Sequence, residues 1–256
     1  ALIACKALNC KKIIAIDIDN GELNDGLVKA DLRINCDLKY FFSQIKGKKL
    51  KVEKTWLLEC DKEKRLNFRN YSELPKSQKN KFVNPYDFTE SLSKLVKRDA
   101  ILLTDAGANL TFFMQSFQTS DKQRIISAWG NSPMGYSIAA GIGAKIASNN
   151  KQVISLIGDG SFLINLQVLQ FIKFNKIGLK IIIYDNKIFG NTKYGTAEYN
   201  IKDIGNDRRG GYYPPEIKKI AKAFDIKYFR LSNNFNEKEK IKKFLDFKGC
   251  SILHLN

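Results

Sequence analysis

The chain has one histidine, His254, in 256 residues. It sits in the apolar run Ser251–Leu255, a setting that favours a structural role over proton shuttling. Five cysteines (Cys5, Cys10, Cys36, Cys60 and Cys250) are scattered, odd in number and never spaced Cys-x-x-Cys. That pattern argues against a zinc site or a disulfide framework and fits a reducing cytoplasm. There is no run of 18 or more apolar residues, so a membrane partner is not expected. Residues Ala1 to Lys6 lack the basic start and long apolar stretch of a signal peptide. An initiator methionine is also missing, which reads as a chain that begins partway through a longer gene product. No internal repeat and no Pro/Ser-rich tract interrupts the sequence.

What is abundant is apolar and basic. A 44% hydrophobic content over this length supports one sizeable α/β domain plus a smaller piece. The net charge of +17 raises a nucleic-acid hypothesis. However, Lys46 to Lys51, Lys218, Lys219 and Lys222, and Lys238 to Lys243 are dispersed without interleaved aromatics. A solvated Lys-rich surface, with no nucleic-acid partner, is the expectation.

Residues 12–18 form a β-branched run that reads as a short buried strand ending in acids, followed by a helix over Asp37–Ile45. Residues 46–84 are charged and punctuated by Pro75, and read as a linker with one helix near Val52–Glu59. From Pro85 a second organisation begins, with Phe88, Leu92 and Leu95 at helical spacing. Strands are predicted at Ala100–Thr104, Arg124–Ser127, Gln152–Ile157, Lys180–Tyr184, Lys227–Leu231 and Ser251–Leu255. Helices are predicted at Leu110–Phe117, Met134–Ala147, Phe162–Phe174, Pro215–Phe224 and Glu237–Phe247. This alternation predicts an α/β fold, a doubly wound, mainly parallel sheet flanked by helices. Ligands of such sheets sit beyond the carboxyl ends of the strands.

At one such end stands Gly158-Asp159-Gly160-Ser161. Glycine on each side of Asp159 permits a tight turn and close approach of a ligand. Ser161 reads as the N-cap of the following helix, whose free N–H groups suit a phosphate. Asp159 adds a hard oxygen suited to Mg²⁺. The next strand ends in Asp185-Asn186. Parallel neighbours joined by one helix bring their carboxyl ends together, so Asp159 and Asn186 can meet one ion. A Gly-Asp-Gly turn alone is weak evidence; the pair is stronger.

Gly158-Asp159-Gly160-Ser161, 24 residues (162–185) and then Asn186 resemble the bipartite signature of thiamine diphosphate (ThDP)-dependent enzymes of the acetolactate synthase and 2-oxo-acid decarboxylase type. Gly130 to Tyr136, running into Ala139 to Ala144, resembles that family's segment beneath the aminopyrimidine. Thr104 to Asn109 resembles the loop meeting the diphosphate, and Ile14 to Asp19 a late strand of the Rossmann-like middle domain. The resemblance implies a middle-domain remnant over 1–50, a linker over 51–84 and the ThDP-binding domain over 85–256. It further implies Asp159, the side-chain oxygen of Asn186 and the carbonyl of Ile188 as Mg²⁺ ligands. Gly160 and Ser161, with Ala106, Gly107, Ala108 and Asn109 mostly through backbone, would hold the diphosphate. Ser132 and Met134 would touch the aminopyrimidine, with the Met134 side chain propping the cofactor in its bent form. A core methionine is the plainer reading of Met134.

Departures narrow the resemblance. The usual Gln-His pair of the first loop is Ala108-Asn109 here, and the usual Asn-Asn is Asp185-Asn186. Where acetolactate synthases resemble one another in a Trp, this chain has Gly195, which argues against acetolactate synthesis itself. Phe189–Tyr213, carrying Lys193, Tyr194, Arg208 and Arg209, reads as a mobile loop whose basic groups are solvated. The activating glutamate belongs to a pyrimidine-binding domain for which residues 1–84 have no room. That domain is expected from the same gene or a partner chain, in a homo-oligomer, with this chain inactive alone. The resulting expectation is the ThDP/Mg²⁺ portion of a decarboxylase or carboligase acting on a 2-oxo acid. The rivals are the ThDP portion of an oxidoreductase, a nucleotide- or nucleic-acid-binding module, and a non-catalytic regulator.

Overall fold

The computed structural model describes residues 11–25, 29–48, 51–70, 82–148, 150–232 and 238–256. The first ten residues, the linker stretch 71–81 and the expected helix start at Glu237 lie outside the described residues. The chain divides into two compact units, Ala1–Asp61 and Lys62–Asn256.

In the first unit, β1 (Ile14–Asp17) pairs in parallel with β2 (Leu32–Asn35). Helices α1 (Asn20–Asn24) and α2 (Leu38–Ile45) follow these strands, and Asp19 and Asp37 cap them through side-chain bonds to Gly21 N and Lys39 N. The buried strand expected at 12–18 is corrected here: β1 is shorter, and Ile14 and Ile18 are exposed. The cause is that this pair has little core to face, since Leu23 is the unit's one buried apolar residue among those described. The helix expected near Val52–Glu59 runs instead as α3 from Lys54 to Asn70. Residues 54–70 contain Leu, Glu, Lys and Arg but no Gly or Pro, so nothing local stops it earlier.

The second unit carries the expected doubly wound sheet. Helix α4 (Pro85–Ser93), capped by Asn84, leads to β3 (Ile101–Thr104). Then come α5 (Ala108–Ser116), β4 (Arg124–Ile126), α6 (Tyr136–Ala147) and β5 (Val153–Gly158). Helices α7 (Asp159–Ile164) and α8 (Val168–Phe174) precede β6 (Lys180–Tyr184), and α9 (Gly190–Glu198) and α10 (Ile217–Ala223) precede β7 (Lys227–Leu231). Helix α11 (Lys238–Asp246) and β8 (Ser251–Leu255) complete the order. All six strands are parallel, in the order β4-β3-β5-β6-β8-β7. Parallel strands need crossovers on both faces, so the inner strands β3, β5, β6 and β8 are buried on both sides. Leu102, Ile154, Ile182 and Leu253 face one helix layer, and Ile101, Leu103, Ile181 and Ile252 the other.

Two expected elements differ. The single helix at Phe162–Phe174 is two helices, because the Asn165 amide reaches away to the Gly135 carbonyl at 3.1 Å. A polar side chain that finds a distant backbone partner gives up its place in a helix. The stretch expected as a loop at 189–213 contains α9.

Gly141 shows how closely α6 lies on the sheet. A Cβ there would overlap Ser155 Oγ and come 3.0 Å from Leu179 Cδ1. Alanine gains about 1 kcal/mol of helix propensity, but overpacking costs about 1–3 kcal/mol. Ser155 Oγ is also committed to the Ser137 carbonyl at 2.7 Å. Gly141→Ala is therefore expected to destabilise the protein by about 1–2 kcal/mol. A lower urea midpoint at unchanged slope is the measurement.

Candidate cofactor site

The chain turns back at β3: β4 lies on one side of it and β5 on the other. A crevice opens at such a reversal, at the carboxyl ends of the strands. Gly158 of β5 pairs with Tyr184 of β6, so the residues just after them, Asp159 and Asp185, leave the sheet side by side. Around these ends lies a cavity of about 650 Å³. Its lining includes every residue singled out from sequence: Ala106, Gly107, Ala108, Asn109, Ser132, Met134, Asp159, Gly160, Ser161, Asn186 and Ile188. Their four segments, some 80 residues apart at the extremes, are brought together by the β4-β3-β5-β6 order.

The local backbone is specialised. Gly107 has φ 103°, and Ser132 and Lys187 are non-glycine residues with φ 41° and 59°. Left-handed backbone at non-glycine positions is costly and tends to gather at functional sites. Asn186 Oδ1 accepts the Ile188 N–H at 3.1 Å across Lys187, closing a small Asx turn. An amide oxygen has two lone pairs, so this bond leaves one free. Met134 is 36% exposed and lines the cavity, which sets aside the plain core-methionine reading.

Asp159 is buried, 2% exposed, at the first turn of α7. Burial pushes its carboxyl up to about 6, reinforced by the Asp185 charge and opposed by bonds from Tyr212 and the Gly160 N–H. The Tyr212 hydroxyl donates to Asp159 Oδ2 at 3.0 Å. Ser161, expected as the helix N-cap, is instead the third residue of α7. Gly158 holds the cap position in extended backbone without a side-chain bond, because the helix begins directly at the strand end. Asn109 turns its amide inward, to the carbonyls of Asp105 (3.2 Å) and Leu156 (3.1 Å).

Asp105, Asp185, Phe189 and Tyr212 were not singled out from sequence. Asp105 is fully buried, and its carboxylate accepts from Ala106 N at 3.0 Å, Gly135 N at 2.9 Å and Ser137 N at 2.8 Å. It thereby caps α6 from 30 residues away, a job Gly135 has no side chain to do. Burial raises its carboxyl, and these backbone donors offset part of that rise. Phe189 lies over Gly160, where an added Cβ would be 2.8 Å from its ring Cζ, and packs on Tyr212 with centroids 4.4 Å apart. Lys193 is paired with Asp207 and with Asp203 (3.3 Å), so this cation is engaged within its own segment. Local sequence marks none of the interactions of these four, since each acts through a partner distant in the chain.

The donor set fits a hard cation with an anion beside it. One buried carboxylate, one amide oxygen and nearby carbonyls are oxygen ligands. The second carboxylate, Asp185, has a buried oxygen, Oδ1, without a hydrogen-bond partner. Glycines at 107 and 158 keep the lining backbone open to close approach, while the Phe189 ring fills the space over Gly160. Among the described residues there is no cluster of three His, Cys, Asp or Glu and no helix long and apolar enough to cross a membrane.

This is an α/β domain whose parallel strands end on one cavity. The family description "Thiamine pyrophosphate enzyme, C-terminal TPP binding domain" matches residues 105–255. The chain belongs to that family, whose cofactor is thiamine diphosphate, and is similar to acetolactate synthases. It is 30% identical over 250 residues to a probable acetolactate synthase large subunit of Methanocaldococcus jannaschii, covering 91% of this chain and 40% of that protein. It is 28% identical to the acetolactate synthase large subunit of Lactococcus lactis, covering 85% and 37%. A rice chloroplastic acetolactate synthase is 26% identical, covering 95% and 39%. The chain thus spans about two fifths of the length of the curated relatives it matches.

Asp105→Ala would leave three backbone donors without their acceptor, and a lost charged hydrogen bond costs about 1.5–3 kcal/mol. Relief of carboxylate burial offsets part of this. The expected loss of unfolding free energy is about 2–4 kcal/mol, with Asp105→Asn intermediate, measured by urea denaturation.

Proposed function

We propose that this chain holds Mg²⁺ and the diphosphate of ThDP at the tips of β5 and β6 in a decarboxylase or carboligase acting on 2-oxo acids. The observation that carries the reading is the convergence of Asp159, Asn186, Ile188 and the glycine-rich turns on one cavity. Asp159 and the Asn186 oxygen, with the Ile188 carbonyl, are the Mg²⁺ ligands. Gly160, Ser161 and Ala106 to Asn109 contact the diphosphate, and Ser132 and Met134 contact the aminopyrimidine. The raised carboxyl of Asp159 fits this role, because a buried negative charge is relieved by a cation. When bound, the thiazolium supplies the electron sink that carbon–carbon bond cleavage or formation at a carbonyl requires. The chain's own residues bind, orient and exclude water. Tyr212 and Phe189 cover the Asp159–Gly160 turn, and Asp105 keeps two walls of the cavity in register.

The activating carboxylate comes from a pyrimidine-binding domain, of the same gene or a partner chain, and the working enzyme is a homo-oligomer. The relatives' names make acetolactate formation the first activity to assay. Gly195 of α9, half-buried and without the Trp side chain of acetolactate synthases, favours a different second-substrate pocket. Assaying acetolactate formation from pyruvate against simple decarboxylation, with the pyrimidine-binding domain present, separates the two.

The site itself is tested by calorimetry. Wild type is expected to take up ThDP only with Mg²⁺, and Asp159→Ala to weaken that uptake about tenfold or more, as loss of a carboxylate beside a divalent ion implies. Asn186→Ala should weaken it less, since the residue contributes no net charge. Identical heats in wild type and Asp159→Ala would overturn the assignment.

A further inference from the structure

The cavity has a second carboxylate, and its setting is unusually well built. Asp185 follows β6 directly, with its side chain 6% exposed. One oxygen, Oδ2, is 2.9 Å from Nε2 of His254, the chain's single histidine. The other, Oδ1, is buried without a hydrogen-bond partner. His254 is itself buried in β8, and its Nδ1 is 2.7 Å from the Tyr228 hydroxyl of β7. A carboxylate only accepts, so Nε2 carries the hydrogen of that bond, and Nδ1 is paired with the Tyr228 hydroxyl. Three adjacent strands, β6, β8 and β7, thus hold one carboxylate in one orientation.

A buried carboxylate oxygen without a partner costs free energy. Here the cost falls beside Asp159, on the lining of the cavity. We propose that Asp185, clamped by His254 and Tyr228, is a second anionic group of the cation site, and that His254 is its positioning residue. This rests on the cation site proposed above and extends it. With Asp159 alone, the protein would offer a divalent ion one negative charge and neutral oxygens. With Asp185 it offers two, enough to hold the ion before any diphosphate arrives.

The test is Mn²⁺ binding to the full chain without ThDP, followed by the electron paramagnetic resonance signal of the free ion. Wild type is expected to bind, and Asp159→Asn to abolish binding. Asp185→Asn keeps the shape and an acceptor for His254 but removes the charge, and is expected to weaken Mn²⁺ about tenfold. His254→Leu should weaken it similarly in the wild-type background and add nothing in the Asp185→Asn background, whereas His254→Gln, which keeps a donor, should restore much of the affinity. Should His254→Leu lower stability to urea while Mn²⁺ affinity stays unchanged, the histidine is merely structural and the proposal fails. If Asp185→Asn binds like wild type while Asp159→Asn does not bind, the second anion is refuted and the cation site stands. A wild type that binds no Mn²⁺ overturns both.

Discussion

Parallel pairing of β5 with β6, in the register that sets Gly158 against Tyr184, fixes the rest of the site. Two strands that run the same way must end at the same edge, and whatever follows them is released there together. In this chain the residues released are Asp159 on one side and Asp185-Asn186 on the other. Shifting the register by one residue would invert every side chain on β6. Ile181 to Ile183 suit either helix layer, so the ends of β6 oppose that slip: Lys180 Nζ donates to the Gly249 carbonyl and the Tyr184 hydroxyl meets Thr89 Oγ1. The chemistry of the polar tips is therefore secured by residues outside them.

Electrostatics then work against the protein on its own. Two carboxylates leave the sheet adjacent to each other, both largely removed from water, and one has an oxygen that nothing satisfies. Tyr212 answers part of this for Asp159, and His254 for Asp185. What remains is an unbalanced negative patch among glycines, which a divalent cation carrying a diphosphate would complete. Stability given up at such a place is a common mark of a binding site.

Much of this was legible in the order of residues. The strand and helix alternation gave the sheet, because doubly buried strands read as β-branched runs at predictable intervals. The glycines and the Asp159–Asn186 spacing were enough to mark the cavity. Features that depend on distance along the chain were not readable. Nothing near Asp105 announces that it will serve Gly135 and Ser137, and nothing near Asn165 announces the bond to Gly135 that breaks the helix. Residues 190–198 look like a loop because the segment lacks apolar periodicity, yet they form a helix with no buried residue. The run at 12–18 signals a strand, and one forms at 14–17, but it is little buried, because what a strand packs against is not in the run.

The carboxylate of Asp105 ties the end of β3 to the start of α6: Oδ1 accepts from Ala106 N and Gly135 N, and Oδ2 from Ser137 N. The stretch that begins at Ala106 and the stretch around Ser132–Ser137 are therefore a single mechanical body. Anyone reshaping this pocket to admit a bulkier molecule would find that neither wall can be transplanted from a related scaffold by itself. The pair would have to be exchanged together, with the aspartate that rivets them.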